Sequence, residues 1–190
     1  MPGLLLSAQS SEDQVVLLND AREVVGRMPR SAVHTSDTPL HLAFSAYLFN
    51  SDGEVLLTRR ALSKRTWPGV WTNACCGHPR PGEAIVDAID RRLGDELGLR
   101  VDPGLVQDLE CVLPDFAYRA VDASGVMENE ICPTYRGIVH PRAVLSPNSD
   151  EVMDWRWVAW EDVAAASRLV PFTFSPWAVR QIDQLDRVRS

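Results

Sequence analysis

Cys76 and His78 stand two residues apart in Trp71-Thr72-Asn73-Ala74-Cys75-Cys76-Gly77-His78, which puts a thiol beside an imidazole. Two more of the four histidines, His34 and His41, bracket Thr35-Ser36-Asp37-Thr38-Pro39-Leu40. The only Glu-x-Glu is Glu128-Asn129-Glu130; at the start of a strand, its two carboxylates share one face. Three imidazoles and two carboxylates form a mixed N/O donor set suited to zinc, manganese or iron. A thiol and a carboxylate at such a centre can serve as an acid/base pair. His140, before Pro141 in an expected loop, stays outside this set.

A second pattern begins at the same place. Gly77, Glu83, Arg91, Leu93, Glu96, Gly98 and Leu99 fall at the spacing of the Nudix box, a loop-helix motif that binds a divalent cation and a diphosphate. Two positions where that motif usually carries glutamate hold Arg92 and Asp95. Hydrolysis of a diphosphate needs several carboxylates to hold metal and activate water, so the loss argues against ordinary hydrolysis. Arg92 instead offers a cation to a phosphate, one turn from Glu96. Read without the motif, the same residues form a solvated helix face with Arg92/Glu96 and Asp87/Arg91 pairs four apart.

The elements that must position these groups follow from periodicity and turn chemistry. Strands are expected at residues 15–19, 41–49, 55–58, 70–75, 106–113, 131–139 and 153–158. Asn50-Ser51-Asp52-Gly53 marks a hairpin, and residues 61–68 read as a basic loop. Residues 82–97 form the clearest helix, with Ala84, Ile85, Ala88, Ile89, Leu93 and Leu97 as its apolar stripe and Gly98 as its stop. A short helix follows at 160–167. Ser175-Pro176 supplies an N-cap and first position for a last helix to about residue 188. Strands around one central helix, with helices at the end, predict a mixed α/β sandwich.

The 190 residues suit one domain over 15–190, preceded by a flexible leader over 1–14. That leader carries Leu4-Leu5-Leu6 but no basic region and no apolar run of signal-peptide length. No stretch reaches the roughly 18 apolar residues of a membrane span. The net charge of -7 argues against nucleic-acid and anionic-membrane partners, so a diphosphate needs a local cationic pocket and bound metal. Cys75, Cys76, Cys111 and Cys132 have no C-x-x-C spacing, which disfavours a disulfide framework or a four-thiolate zinc site. Cys111 and Cys132 are expected as small buried residues in strands. Reducing, cytoplasmic conditions fit this usage.

Longer motifs identify a family. Thr35-x-Asp37-Thr38-x-Leu40-His41-Leu42-Ala43-Phe44-Ser45, Thr58-Arg59-Arg60-Ala61-Leu62-Ser63-Lys64, Trp67-Pro68-Gly69-Val70-Trp71-Thr72-Asn73 and Cys76-Gly77-His78-Pro79 resemble type 1 isopentenyl-diphosphate isomerases. So do Glu128-Asn129-Glu130, Asp150-Glu151-Val152-Met153-Asp154 and Phe174-Ser175-Pro176-Trp177. The likeness covers about residues 15–180. It implies a Nudix fold, and an enzyme that interconverts isopentenyl and dimethylallyl diphosphate by protonation and deprotonation through a tertiary carbocation.

The resemblance also implies roles. Cys76 and Glu130 are the acid/base pair, Glu130 protonating the alkene with Tyr118 assisting and Cys76 taking the allylic proton as thiolate. The sequence leaves that direction open. His34, His41, His78, Glu128 and Glu130 hold a second divalent metal, Mn2+ or Zn2+. Mg2+ on the diphosphate is held by Glu96, with the backbone carbonyl of Cys76. Arg30, Arg60, Lys64 and Arg92 meet the phosphates; Arg30 stands where the family often has lysine. Trp177 faces the cation, and Trp67 and Trp71 serve as walls and core. A prenyl diphosphate is the only implied partner, in a monomer or homodimer. The rival readings are a Nudix-type diphosphate hydrolase and a non-catalytic binding module.

Overall fold

The computed structural model describes residues 14–101 and 104–189. The expected leader lies outside these residues except for Gln14, which opens the first strand. One sheet is built from β1 (Gln14–Leu18), β2 (Val24–Pro29), β3 (His41–Leu42), β9 (Ala117–Val121) and β10 (Met127–Ile131). Its order is β2-β1-β3-β10-β9. The second is built from β4 (Phe44–Phe49), β5 (Glu54–Arg60), β8 (Val106–Leu113), β11 (Thr134–Val139) and β12 (Val152–Ala159). Its order is β12-β5-β4-β11-β8, with β6 (Trp71–Thr72) on β5 and β7 (Cys75–Gly77) on β4.

Helices α1 (Arg30–Val33), α2 (Ile85–Leu97), α3 (Trp160–Leu169) and α4 (Pro176–Arg189), with a single 3-10 turn at Pro171–Thr173, complete the described elements. The second sheet is covered on both faces, so its central strands are apolar on both. Phe44, Ala46, Leu48 and Leu56 pack with Ile89, Leu93 and Leu97 of α2. Tyr47, Val55 and Leu57 pack on the opposite face with Trp160 and Val163 of α3 and Ile182 of α4. The expected α/β sandwich is therefore present, with the box helix on one face.

Three expected strands are divided. Residues 41–49 form β3 and β4, which belong to different sheets and part at Ala43; residues 131–139 divide likewise at Cys132-Pro133. The two stretches run parallel and change sheets side by side: His41 pairs with Glu130 in one sheet and Ser45 with Thr134 in the other. Pro133 has no N–H to continue a ladder, and its carbonyl accepts from Ser45 N at 3.1 Å across the step. Residues 70–75 divide at Asn73, where the chain leaves β5 for β4.

The helix expected over 82–97 begins at Ile85. Gly82 has φ +81°, outside the helical region, and Ala84, expected in the apolar stripe, is exposed at the N-cap. Gly98 ends α2 at φ +67°, its N–H bonded to Gly94 O and that of Leu99 to Leu93 O. Asn50 builds the expected hairpin, its Oδ1 accepting from the N–H groups of Asp52 and Glu54. Ser175 Oγ accepts from Ala178 N at 3.4 Å, the expected cap of α4. Strands β2 and β9 and the single turn α1 were not expected; β2 lacks a buried face, and β9 alternates in burial over only five residues.

Candidate active site

A cavity of about 370 Å³ opens between the two sheets. Its walls bring together eleven of the expected site residues: His34, His78, Glu128, Glu130, Cys76, Tyr118, Arg30, Arg60, Lys64, Arg92 and Trp177. The fully buried His41 lies behind His78. Glu96 is buried beside Arg92, outside the cavity lining.

Sheet switching explains the arrangement. His41 and Glu130 are register partners on β3 and β10, so their side chains emerge side by side. Cys76 arrives from the second sheet, as the partner of Ser45 on β4. His78 follows β7 and reaches across, its Nε2 3.0 Å from Glu130 Oε1 and 3.2 Å from His41 Nε2. His34, just after α1, completes the group: its ring centroid is 5.2 Å from that of His41 and 5.4 Å from that of His78.

This group has the chemistry of a metal site. The ligand atoms of His34, His41, His78 and Glu130 all lie within 4.8 Å of one another. His41 Nδ1 lies 2.9 Å from the Pro39 carbonyl, which only accepts, so Nδ1 carries a proton; in the neutral ring the Nε2 lone pair is left for a cation, and in the protonated ring Nε2–H faces Glu130 Oε1 at 3.4 Å. His34 Nε2 is buried without a hydrogen-bond partner among the described residues. Nitrogens bound at roughly 2.0–2.1 Å to a tetrahedral ion lie about 3.3 Å apart, close to the 3.2 Å between His41 and His78. A divalent cation thus fits the cluster.

Glu128 stands beside the four rather than among them. Its Oε1 accepts from Thr66 Oγ1 at 2.6 Å and its Oε2 from Tyr118 OH at 3.1 Å, with His34 Nε2 3.6 Å from Oε2. The Tyr118 hydroxyl therefore serves Glu128, not Glu130. Burial also pushes this phenol well above the usual tyrosine range.

Charge is distributed unevenly. Burial opposes ionisation of Glu130, but hydrogen bonds from His41 and His78 outweigh it and hold the carboxyl well below the usual range. Burial likewise opposes charge on His41, yet the hydrogen bond and charge of Glu130, with the Pro39 carbonyl and the charge of Glu128, together outweigh it and raise the ring; at His78 burial dominates and lowers it. Burial pushes the Cys76 thiol up to about 12, against the pull of Arg60 and Lys64. The resting pair is thus a thiol and a carboxylate.

The same cavity is lined by a group of cations, Arg30, Arg60, Lys64 and Arg92. Arg92 pairs with Glu96 and, at 3.2 Å, with Glu151; Lys64 also pairs with Glu151. Arg60 donates from Nε and Nη2 to the carbonyls of Thr66 and Trp67, and its guanidinium carbon lies 5.2 Å from the Trp177 ring centroid. Arg91 does not pair with Asp87: its fork grips Glu83 through two contacts of 2.8 Å and donates to His78 O, closing the loop before α2. Gly77 packs closely there: a Cβ would meet Arg92 Cγ at 3.1 Å and Phe44 Cζ at 3.3 Å, so either side chain would have to give way to it. Asp95 is exposed, and so, contrary to expectation, is Cys111; Cys132 is buried as expected.

Three contributors carried no assigned role in the sequence. Asn73, fully buried, uses both ends of its amide. Oδ1 accepts from Trp177 Nε1 (3.1 Å) and Thr72 Oγ1 (2.8 Å), and Nδ2 donates to Ala46 O (3.2 Å) and Cys75 O (2.5 Å). Thr66 holds Glu128, and Glu151 binds two cations. Asn73 and Glu151 lie inside the family-like motifs, but only contacts distant in sequence reveal what they hold.

Two sheets, a box helix after a short strand and a polar cleft between them define a NUDIX domain, and the NUDIX domain model matches residues 39–178. The Deinococcus radiodurans protein DR0079 shares this fold, with a TM-score of 0.68 and 19% identity over 90% of this chain and 98% of its own. Much nearer in sequence is the isopentenyl-diphosphate Delta-isomerase of Frankia alni, 54% identical over 93% of this chain and 87% of the relative. The enzyme of the same name from Mycolicibacterium vanbaalenii is 53% identical over 90% and 91%. The chain belongs to the isopentenyl-diphosphate Delta-isomerase family.

Proposed function

We propose that this enzyme interconverts isopentenyl and dimethylallyl diphosphate by proton transfer between Cys76 and Glu130, and it serves isoprenoid synthesis as an isomerase. The observation that supports the reading is a thiol from one sheet and a carboxylate from the other lining a single cavity together with Arg30, Arg60, Lys64 and Arg92. Arg30, Arg60, Lys64 and Arg92 bind the diphosphate, leaving the C5 chain between Cys76 and Glu130. A substrate so fixed has its double bond and allylic C–H held against the two groups, which removes the entropy cost of finding them.

Glu130, when protonated, gives its proton to the terminal alkene carbon, and the Cys76 thiolate removes the allylic proton. The forward reaction leaves a thiol and a carboxylate, the state the buried site prefers at rest. The reverse reaction starts from that state. The opposed shifts make protonated Glu130 a strong acid and thiolate Cys76 a strong base. Trp177 faces the tertiary cation, which a desolvated aromatic ring stabilises by about 2 kcal/mol. The buried Tyr118 and half-buried Trp67, each with its ring centroid 5.7 Å from that of Trp177, help exclude water that would trap the cation.

His34, His41, His78 and Glu130, with Glu128 beside them, would hold one divalent ion, Mn2+ or Zn2+. Bound there, it supplies fixed positive charge that acidifies Glu130. Glu96 and the Cys76 carbonyl would hold Mg2+, which supplies charge neutralisation to the diphosphate. The protein acts in the cytoplasm, without nucleic-acid or membrane partners, as a monomer or homodimer. Among the described residues no helix is long and apolar enough to cross a membrane.

The test is incubation with isopentenyl diphosphate and Mg2+ in heavy water, followed by NMR. Deuterium uptake with formation of dimethylallyl diphosphate is expected. Phosphate release without deuterium uptake would move the assignment to a hydrolase.

A further inference from the structure

The cations that line the cavity have an anion among them. Glu151 lines the same cavity as Arg60, Lys64 and Arg92, and its Oε2 is the partner of both Lys64 Nζ and Arg92 Nη2. The groups are about four-fifths or more buried: side-chain exposure is 19% for Lys64, 11% for Arg92 and 20% for Glu151. Two cations packed this closely repel each other, and one carboxylate between them offsets that repulsion when the site is empty.

The mounting of Glu151 is rigid. The turn that carries it is tied to α2 by Asn148 N to Glu96 O (2.9 Å) and Ser146 N to Leu97 O (2.8 Å). It is tied to the loop bearing Lys64 by Ala61 N to Glu151 O (3.0 Å) and Ser63 Oγ to Asp150 O (3.1 Å). Its own N–H donates to Asn148 O at 3.0 Å. Lys64, by contrast, carries its charge on a flexible four-carbon stem. The cation can swing toward a phosphate; the backbone beneath Glu151 is held from both sides.

We infer that Glu151 is a built-in counter-anion, which competes with the diphosphate for Lys64 and Arg92 and thereby weakens substrate and product binding. This rests on the reading that those two cations bind the diphosphate. When they turn to a ligand, Glu151 loses its partners and faces a second anion, and like charges brought together cost binding energy. Glu151 is in this sense a specificity-determining residue: it sets how much negative charge a ligand must bring to displace it. A diphosphate outcompetes one carboxylate where a monophosphate gains far less.

The test is titration calorimetry of the purified full-length protein with inorganic diphosphate, without divalent metal, for wild type, Glu151→Gln, Lys64→Gln and Arg92→Gln. Glu151→Gln should bind diphosphate about tenfold more tightly, the gain shrinking as salt rises. Inorganic monophosphate should gain proportionally more, narrowing the preference for diphosphate. Glu151→Ala must change affinity in the same direction, which covers failure of the glutamine variant to fold. Equal or weaker binding by both Glu151 variants, with weakened binding in Lys64→Gln and Arg92→Gln, would make Glu151 a supporting strut and overturn the inference alone. Unchanged binding in both cation variants would overturn the placement of the diphosphate, and the inference with it.

Discussion

Replacing Asn73 with alanine tests how the cleft is held in shape. The substitution removes all four side-chain hydrogen bonds of a fully buried amide. Thr72 Oγ1 keeps Ser175 Oγ at 2.9 Å, and the bond from Thr58 Oγ1 to the Asn73 backbone carbonyl survives. The Trp177 indole N–H loses its acceptor and the Cys75 carbonyl loses a donor. A buried polar group left unsatisfied costs about 1–3 kcal/mol, so two such groups cost about 4 kcal/mol together. For a domain of this size about 2–4 °C of Tm accompanies each kcal/mol, giving a fall of roughly 8–16 °C. Activity well below the new Tm should also drop, because the untethered indole no longer presents a fixed face to the cation. Loss of a contact worth about 2 kcal/mol corresponds to roughly 30-fold in kcat. Asn73→Asp separates the two effects: it keeps the acceptor for Trp177 but turns a carboxylate oxygen toward the Cys75 carbonyl. It should be at least as unstable as the alanine variant while retaining more kcat. Thermal melts and initial rates on all three proteins decide the matter. An alanine variant within 1 kcal/mol of wild type and with full kcat would refute the reasoning.

Further outcomes follow from the proton-transfer and metal groups. Cys76→Ala and Glu130→Gln should each abolish isomerisation with the fold intact by circular dichroism; near-normal turnover in either would sink the assignment. His41→Ala removes a ring whose tautomer is fixed by Pro39, so bound metal per chain should fall by elemental analysis, and unchanged stoichiometry would contradict the cluster. The Arg91 fork holds the Glu83 carboxyl below its usual range, so Glu83 stabilises the fold above its unfolded pKa. That contribution is lost as pH falls through the lower folded value. Glu83→Gln should therefore destabilise the protein at pH 7 and flatten the acid side of its stability curve; denaturant midpoints that change in parallel with wild type down to pH 3 would count against this.

The box helix, the Asn50 hairpin and the Ser175 cap were legible because each depends on neighbours within a turn or two. The donor set was legible because few residue types bind metals, and His34, His41, His78 and Glu130 do converge. The divisions at Ala43, Asn73 and Cys132 were not: period-two alternation records which side of a strand is buried, not which sheet holds it. Strand β2 was missed because its pattern on an open edge has nothing to alternate against. Tyr118 illustrates the limit most plainly. Its place in the cavity followed from the motif, but the choice of Glu128 over Glu130 as its partner rests on Ångström-scale geometry. Glu83 and Arg91 stood together in the box pattern, but helix spacing alone offered Arg91 only Asp87; its longer reach to Glu83 closes a loop that spacing rules do not describe.

The same strand divisions explain how a fold shared with hydrolases can favour proton transfer. Because the chain changes sheets at Ala43 and again at Cys132, His41 and Glu130 lie on the first sheet while Ser45 and its partner Cys76 lie on the second. A ligand in the cleft therefore meets a carboxylate from one wall and a thiol from the other, as moving a proton from one carbon to another requires. Hydrolysis makes a different demand, for several carboxylates grouped at the phosphate. Here one box position holds Arg92, bound to Glu96 and Glu151, and another holds the exposed Asp95. Where the box would carry carboxylates it carries a cation, which in the proposed reaction would orient a diphosphate without delivering water to it. In the proposed reaction the diphosphate would be held without an attacking water, and a dry site is what a tertiary cation needs to survive until the second proton leaves.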